Sequence, residues 1–206
     1  MEPSRPILML VLPYTPQTDP ARALWVAERA LEGGVNWVML RVRGLPARLA
    51  IDGALELRRL THAHGARLSV NPYPALAEWV NADALHLPED APPYTPPAPM
   101  QLGRSVHSVD AARRAEAEGC RYLLVGTMFP TQSHPDKPPE GIELLRQVRA
   151  AVSIPLIAIG GITPERVAAC IEAGAQGVAV LSGIVDAPDP ADAATHYWAA
   201  LCACAT

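Results

Sequence analysis

The chain has 206 residues, 50% of them hydrophobic, with only 5% aromatic and 18% charged, and a formal net charge of −4. These values imply one domain with a core built mainly from Ala, Val, Leu and Ile, and they give no electrostatic reason to expect nucleic acid or an anionic membrane as a partner. Cys120, Cys170, Cys202 and Cys204 form neither a C-x-x-C pair nor a zinc spacing and read as buried or idle thiols in a reducing compartment. The apolar run at 7–12 is too short for a signal-peptide core, and no segment approaches the roughly 20 apolar residues of a membrane span, so the expected location is cytoplasmic.

Short apolar runs alternate with amphipathic stretches along the chain. A strand at 7–12 precedes a helix at 20–31, a strand at 36–41 a helix at 47–64, and a strand at 67–70 a helix at 73–80. The strand at 84–87 is followed by a proline-rich loop at 88–99 in place of a helix. Strand and helix then pair as 101–106 with 109–118, 122–125 with 141–151, 155–159 with 164–173, and 177–181 with 190–201. The strands show little polar alternation, as parallel strands covered by helices do. Eight such units predict a single-domain α/β protein, a closed (β/α)8 TIM barrel. The competing open sheet is weakened in its dinucleotide-binding version, because the first strand-to-helix turn lacks G-x-G-x-x-G. Gly33, Gly65, Gly119 and Gly174 fall where helices end and are expected as left-handed caps, while Thr163-Pro164-Glu165 reads as a helix start.

In a barrel the chemistry sits at the C-terminal ends of the strands. Gly160-Gly161 after the seventh strand and Ser182-Gly183 after the eighth let backbone N–H groups approach an anion, and Ser182 adds a hydroxyl, so this end is expected to hold a phosphate. On the second strand Met39, Arg41 and Arg43 share one side by the period of two, with Val38, Leu40 and Val42 on the other. An arginine in the barrel mouth needs an anion or a carboxylate: either substrate or a structural acid such as Glu32. Asn71 and Ser105 are further candidates for binding the ligand, with Asn71 equally placed to cap its loop. His86 reads as a core histidine. His107-Ser108 could cap the next helix, or His107 could act in catalysis, and His134 belongs to a loop at 130–139 that reads as a lid.

Four phrases resemble the thiamine phosphate synthase and TenI superfamily: LGRSVHS at 102–108, GTMFPT at 126–131, IPLIAIGGIT at 154–163 and AGAQGVAVLSGI at 173–184. The resemblance implies a (β/α)8 barrel and a thiazole phosphate held by Gly160, Gly161, Ser182 and Gly183. Its synthase branch joins a pyrimidine methyl diphosphate to that phosphate with Mg²⁺ held by two carboxylates. Here Pro72 follows Asn71 where that branch has an acid, and His134 stands in place of a diphosphate-binding lysine. Asp90 alone would hold Mg²⁺ poorly. The phrase at 103–108, Arg41 with Arg43, and Leu87-Pro88 are similar to the TenI-type thiazole tautomerases, except that Thr127 occupies the place of their catalytic histidine. The resemblance therefore implies a tautomerase that aromatises a carboxythiazole phosphate without cofactor or metal. His134, His107 and Thr127 would surround the proton transfer, and Arg41 and Arg43 would hold the carboxylate. A divergent Mg²⁺-dependent synthase and a non-catalytic binder of thiazole or thiamine phosphate are the alternatives. The expected partner is the small thiazole phosphate, with no nucleic acid or membrane and with a homodimer left open.

Overall fold

Eight runs of β-branched and aliphatic residues pair side by side in the computed structural model, which describes residues 5–131 and 138–204. In chain order the elements are β1 (Ile7–Tyr14), α1 (Pro20–Glu32), β2 (Trp37–Val42), α2 (Ala47–Ala63), β3 (Arg67–Asn71), α3 (Pro74–Trp79), β4 (Ala84–Leu87), β5 (Gln101–Val106), α4 (Val109–Ala117), β6 (Tyr122–Val125), α5 (Gly141–Ala151), β7 (Leu156–Ile159), a 3-10 turn (Pro164–Arg166), α6 (Val167–Glu172), β8 (Gly177–Val180), α7 (Ser182–Val185) and α8 (Pro190–Ala203). All neighbouring strands are parallel, in sequence order, and β8 closes on β1 with Ile7 opposite Gly177. This is the closed (β/α)8 barrel expected from the sequence. No described helix is long and apolar enough to cross a membrane.

Alternation along each strand creates two cores. Leu8, Leu10 and Leu12 of β1, with Val38, Leu40 and Val42 of β2, face outward into the layer between barrel and helices. Met9, Val11, Trp37 and Met39 face inward, where Tyr122, Leu124, Ile157 and Ala179 join them. The period-two reading of β2 is therefore met. Three local expectations change. The helix expected at 164–173 opens as a 3-10 turn before α6, the eighth strand stops at Val180, and Ser182-Gly183 begin the short α7. Gly33 is also not left-handed: its φ is −78°, and Gly34, at +109°, makes the turn. Gly33 answers to packing instead, since a Cβ there would lie 2.2 Å from the Ala191 carbonyl oxygen.

The proline-rich segment after β4 leaves backbone carbonyls with no helix to satisfy them. Arg104, pointing outward from β5 and buried, donates to the carbonyls of Pro88, Glu89, Ala91 and Pro92 and pairs with Glu118 at 2.9 Å. The guanidinium does for this loop what a helix would do for itself. It also fixes where Glu89 and Asp90 emerge.

Gly103, next to it, faces inward. A Cβ there would sit 2.1 Å from Cζ of Tyr122, so the barrel interior admits that ring only because residue 103 has no side chain. Gly103→Ala should lower the unfolding free energy by about 2–3 kcal/mol through overpacking, measured by denaturant unfolding; a change under about 0.5 kcal/mol would show that the ring has room to move.

Candidate functional site

The C-terminal ends of the strands surround a cavity of about 660 Å3, and its walls differ in chemistry. At one side are the turns after β7 and β8. Gly160 and Gly161 have φ of +102° and +61°, and a Cβ on Gly161 would fall 2.4 Å from the Pro130 carbonyl oxygen. Both features require glycine whether or not a ligand is present. The N–H groups of Gly161, Ile162, Ser182 and Gly183 donate to no described backbone carbonyl, and all four residues line the cavity. Two late turns and a short extra helix are the usual phosphate-binding end of such barrels. Tyr197 of α8 braces the pair: its hydroxyl donates to the Ile162 carbonyl at 2.9 Å and leaves space for no side chain at Gly183. No motif marked Tyr197, which lies on a helix outside both glycine turns.

Across the mouth stand Arg41, partly buried at the end of β2, and Arg43, exposed just beyond it. Neither guanidinium makes a described hydrogen bond or ion pair. Glu32, the acid that could have neutralised Arg41, is engaged by Arg29. Burial, and then the like charge of Arg43, hold the Arg41 guanidinium below its usual pKa. Two guanidinium groups with no described partner therefore stand beside the cavity, where an anion would offset the cost of their burial. Arg114 of α4 also lines the cavity, a cation the motifs did not single out.

The floor is apolar, made by Val11, Met39, Leu124 and Ala179. Asn71 lines one side and donates from Nδ2 to the His86 carbonyl at 2.9 Å. His86 is buried as a core residue would be, yet it reaches the cavity and touches Ser105 Oγ through Nε2 at 2.9 Å. The reading of His86 as a core histidine is met, and the residue also borders the cavity.

Two carboxylates organise the rim near His107. The His107 backbone N–H donates to Glu89 at 2.6 Å, and its ring Nδ1 lies 3.3 Å from Glu140 Oε1. Glu140 also accepts the backbone N–H of Thr127. His107 and Thr127 are thus brought together through Glu140, which no motif in the sequence marked. Of the His107-Ser108 pair, Ser108 caps α4 as expected, accepting from the Ala111 N–H at 3.1 Å. Asp90 lines the cavity and makes no described hydrogen bond or ion pair. Residue His134 lies outside the described residues. The four cysteines are free thiols remote from these walls, with Cys120 and Cys170 buried.

Fold and site together define a (β/α)8 barrel with a cavity at the C-terminal ends of its strands. The thiamine monophosphate synthase family matches residues 8–184, and the chain belongs to that family. It is 43% identical over 174 residues to a thiamine-phosphate synthase of Natronomonas pharaonis, covering 80% of this chain and 81% of the relative. Identity to the corresponding synthase of Moorella thermoacetica is 42% over 175 residues, with 80% and 81% covered. The structure of a thiamine phosphate pyrophosphorylase from Pyrococcus furiosus superposes with a TM-score of 0.84 at 28% identity, covering 97% of both chains. The chain is therefore an enzyme-family member of thiamine biosynthesis.

The buried His86 yields a pH dependence. Loss of hydration, and then the charge of Arg104, push its pKa from 6.5 down to about 3. The unfolded chain takes up a proton below pH 6.5 that the folded chain refuses, so this contribution is intact above that pH and is lost as pH falls toward about 3. Stability should drop by roughly 2 kcal/mol between pH 6.5 and 5 from this residue alone. His86→Gln should flatten the measured slope; equal slopes in the two proteins would contradict a neutral buried imidazole.

Proposed function

We propose that the chain joins two substrates, a thiazole phosphate held at the β7 and β8 turns and a pyrimidine carried as its methyl diphosphate, to give thiamine phosphate and diphosphate. The observation that carries this reading is the pair of opposed anion-binding walls on one cavity of about 660 Å3, which leaves space for a second ring beside a thiazole phosphate. The names and similarity of the relatives support it further. Arg41 and Arg43 hold the diphosphate and stabilise the charge that grows on it as the bond from the methylene carbon to oxygen breaks. The β7 and β8 turns fix the thiazole so that its ring nitrogen gives its lone pair to that carbon. Asn71 and Ser105 line the space between the walls, and the apolar floor excludes water that would compete for the carbon.

The synthase pattern implies Mg²⁺. Among the described residues no three His, Cys, Asp or Glu side chains converge on a point that could hold a metal. Mg²⁺ is ordinarily held by one or two carboxylates together with substrate phosphates. Asp90, unengaged at the rim, and its neighbour Glu89 fit that arrangement once a diphosphate is present. The ion would supply positive charge to the leaving diphosphate.

A second reading is favoured by Pro72, which offers no carboxylate where the synthase pattern has one, and by the His107–Glu140 pair. In it the chain is a thiazole tautomerase: His107 moves the proton, Glu140 orients its ring, and the arginines hold a ring carboxylate. Either reaction uses small phosphorylated substrates in the cytoplasm.

One assay with two arms separates them. Purified protein with both synthase substrates and Mg²⁺ should release diphosphate, and Arg41→Ala should lower kcat/KM about 100-fold while thiazole phosphate still binds. Acceleration of ring absorbance from the unaromatised thiazole phosphate, without diphosphate release, would instead establish the tautomerase. Silence in both arms would overturn both readings.

A further inference from the structure

Helix α4 carries charged side chains at Asp110, Arg113, Arg114 and Glu116, with Glu118 at its end. Among the described residues all but Arg114 are committed. Asp110 faces Arg113 at 3.8 Å, and Glu118 holds the buried Arg104 at 2.9 Å. Glu116 accepts the Ser153 hydroxyl and the backbone N–H groups of Ser153 and Ile154. The acids one turn before and after Arg114 are Asp110 and Glu118, so both partners its own helix could offer are taken. The Arg114 side chain makes no described hydrogen bond or ion pair, and Arg114 is the one residue of α4 that borders the cavity.

Its place in the barrel follows from the strand order, which sets β3 and β4 between β2 and β5. Arg41 and Arg43 belong to the end of β2, and α4 follows β5. Arg114 therefore reaches the mouth from the far side of a sector that holds Asn71, Glu89 and Asp90, away from the β7 and β8 turns. The depths differ as well: Arg41 is partly buried at its strand end, whereas Arg114 is exposed and comes in from the surrounding helices. The described residues that line the cavity include three arginines, Arg41, Arg43 and Arg114, and two carboxylates, Glu89 and Asp90. Without Arg114 the cations would only balance the carboxylates. A diphosphate carries several negative charges, and the third guanidinium tips this cavity in its favour.

We infer that Arg114 binds the terminal phosphate of the diphosphate substrate, and so makes the site distinguish a diphosphate from a monophosphate. The inference rests on the synthase reading. In that reaction the methylene carbon and the phosphate bonded to it must lie near the thiazole, over the apolar floor. The terminal phosphate is the part furthest from the carbon, and it extends to the rim. Arg41, at the strand end, meets the inner phosphate; Arg114, at the rim, meets the outer one, to which its planar guanidinium can present two parallel N–H donors. A monophosphate ester of the same pyrimidine fills the inner position alone and leaves Arg114 unused.

Calorimetric titration with inorganic pyrophosphate and, separately, inorganic phosphate, both in the presence of Mg²⁺, reads this contact without turnover. Arg114→Gln should weaken pyrophosphate binding about tenfold, the worth of one hydrogen-bonded charge contact, and leave phosphate binding unchanged. Arg113→Gln removes the same charge from the same turn of helix, at a side chain that already faces Asp110, and should change neither. In turnover, Arg114→Gln should raise KM for the diphosphate substrate by a similar factor without moving KM for thiazole phosphate. Unchanged pyrophosphate affinity in Arg114→Gln, or equal effects of the two arginine variants, would overturn the role of Arg114. The synthase reading would survive that result if Arg41→Ala still lost pyrophosphate. Equal weakening of phosphate and pyrophosphate would overturn the assignment to the terminal phosphate. Wild-type protein that takes up no pyrophosphate would sink the diphosphate reading and this inference with it.

Discussion

A closed barrel can be filled only by its own side chains, and strand alternation decides which ones. Every second residue of β1 to β8 must either pack in the interior or, near the C-terminal ends, open into the cavity. This requirement places Met39 inside and Arg41 at the mouth of one strand, and it places Gly103 inside with Ser105 above it on another. Arg41 and the glycine turns border one cavity because the strands carrying them, β2 on one side and β7 and β8 on the other, belong to the same closed sheet.

The interior is not purely apolar, and its polar content is arranged with little waste. Ser69, His86 and Tyr122 are all buried, and each would be costly there without a partner. Ser69 accepts from the Trp37 indole, and His86 lies within hydrogen-bond reach of both the Tyr122 hydroxyl and Ser105. Burial keeps the imidazole neutral, and it keeps the Tyr122 phenol protonated by raising its pKa. Outside the barrel, Arg104 solves a related problem for the loop that replaces a helix, at the cost of one unpartnered buried nitrogen, Nε.

Much of this was legible from residue order. The period of two separated Met39 and Arg41 from Leu40 and Val42, and the glycine pairs after consecutive late strands do line the cavity, as their position in the sequence implied. What the sequence could not convey were contacts between elements far apart in the chain. Gly103 is glycine because of Tyr122, and Gly33 because of Ala191. Glu140 reaches Thr127 and His107 only because the chain folds back after β6, and Tyr197 braces the Ile162 turn from 35 residues away. His86 looked like a core residue because it is one; its second role depends on Ser105, which only the barrel brings beside it.

The phosphate grip at the β7 and β8 turns is the claim on which both reaction schemes rest. Its most direct test is the structure of the protein crystallised with thiazole phosphate alone. The phosphate oxygens should lie about 3 Å from the amide nitrogens of Gly161 and Gly183, with the Ser182 hydroxyl alongside and the ring directed toward Ser105. A phosphate seated instead between Arg41 and Arg43, with the glycine turns empty, would contradict the account.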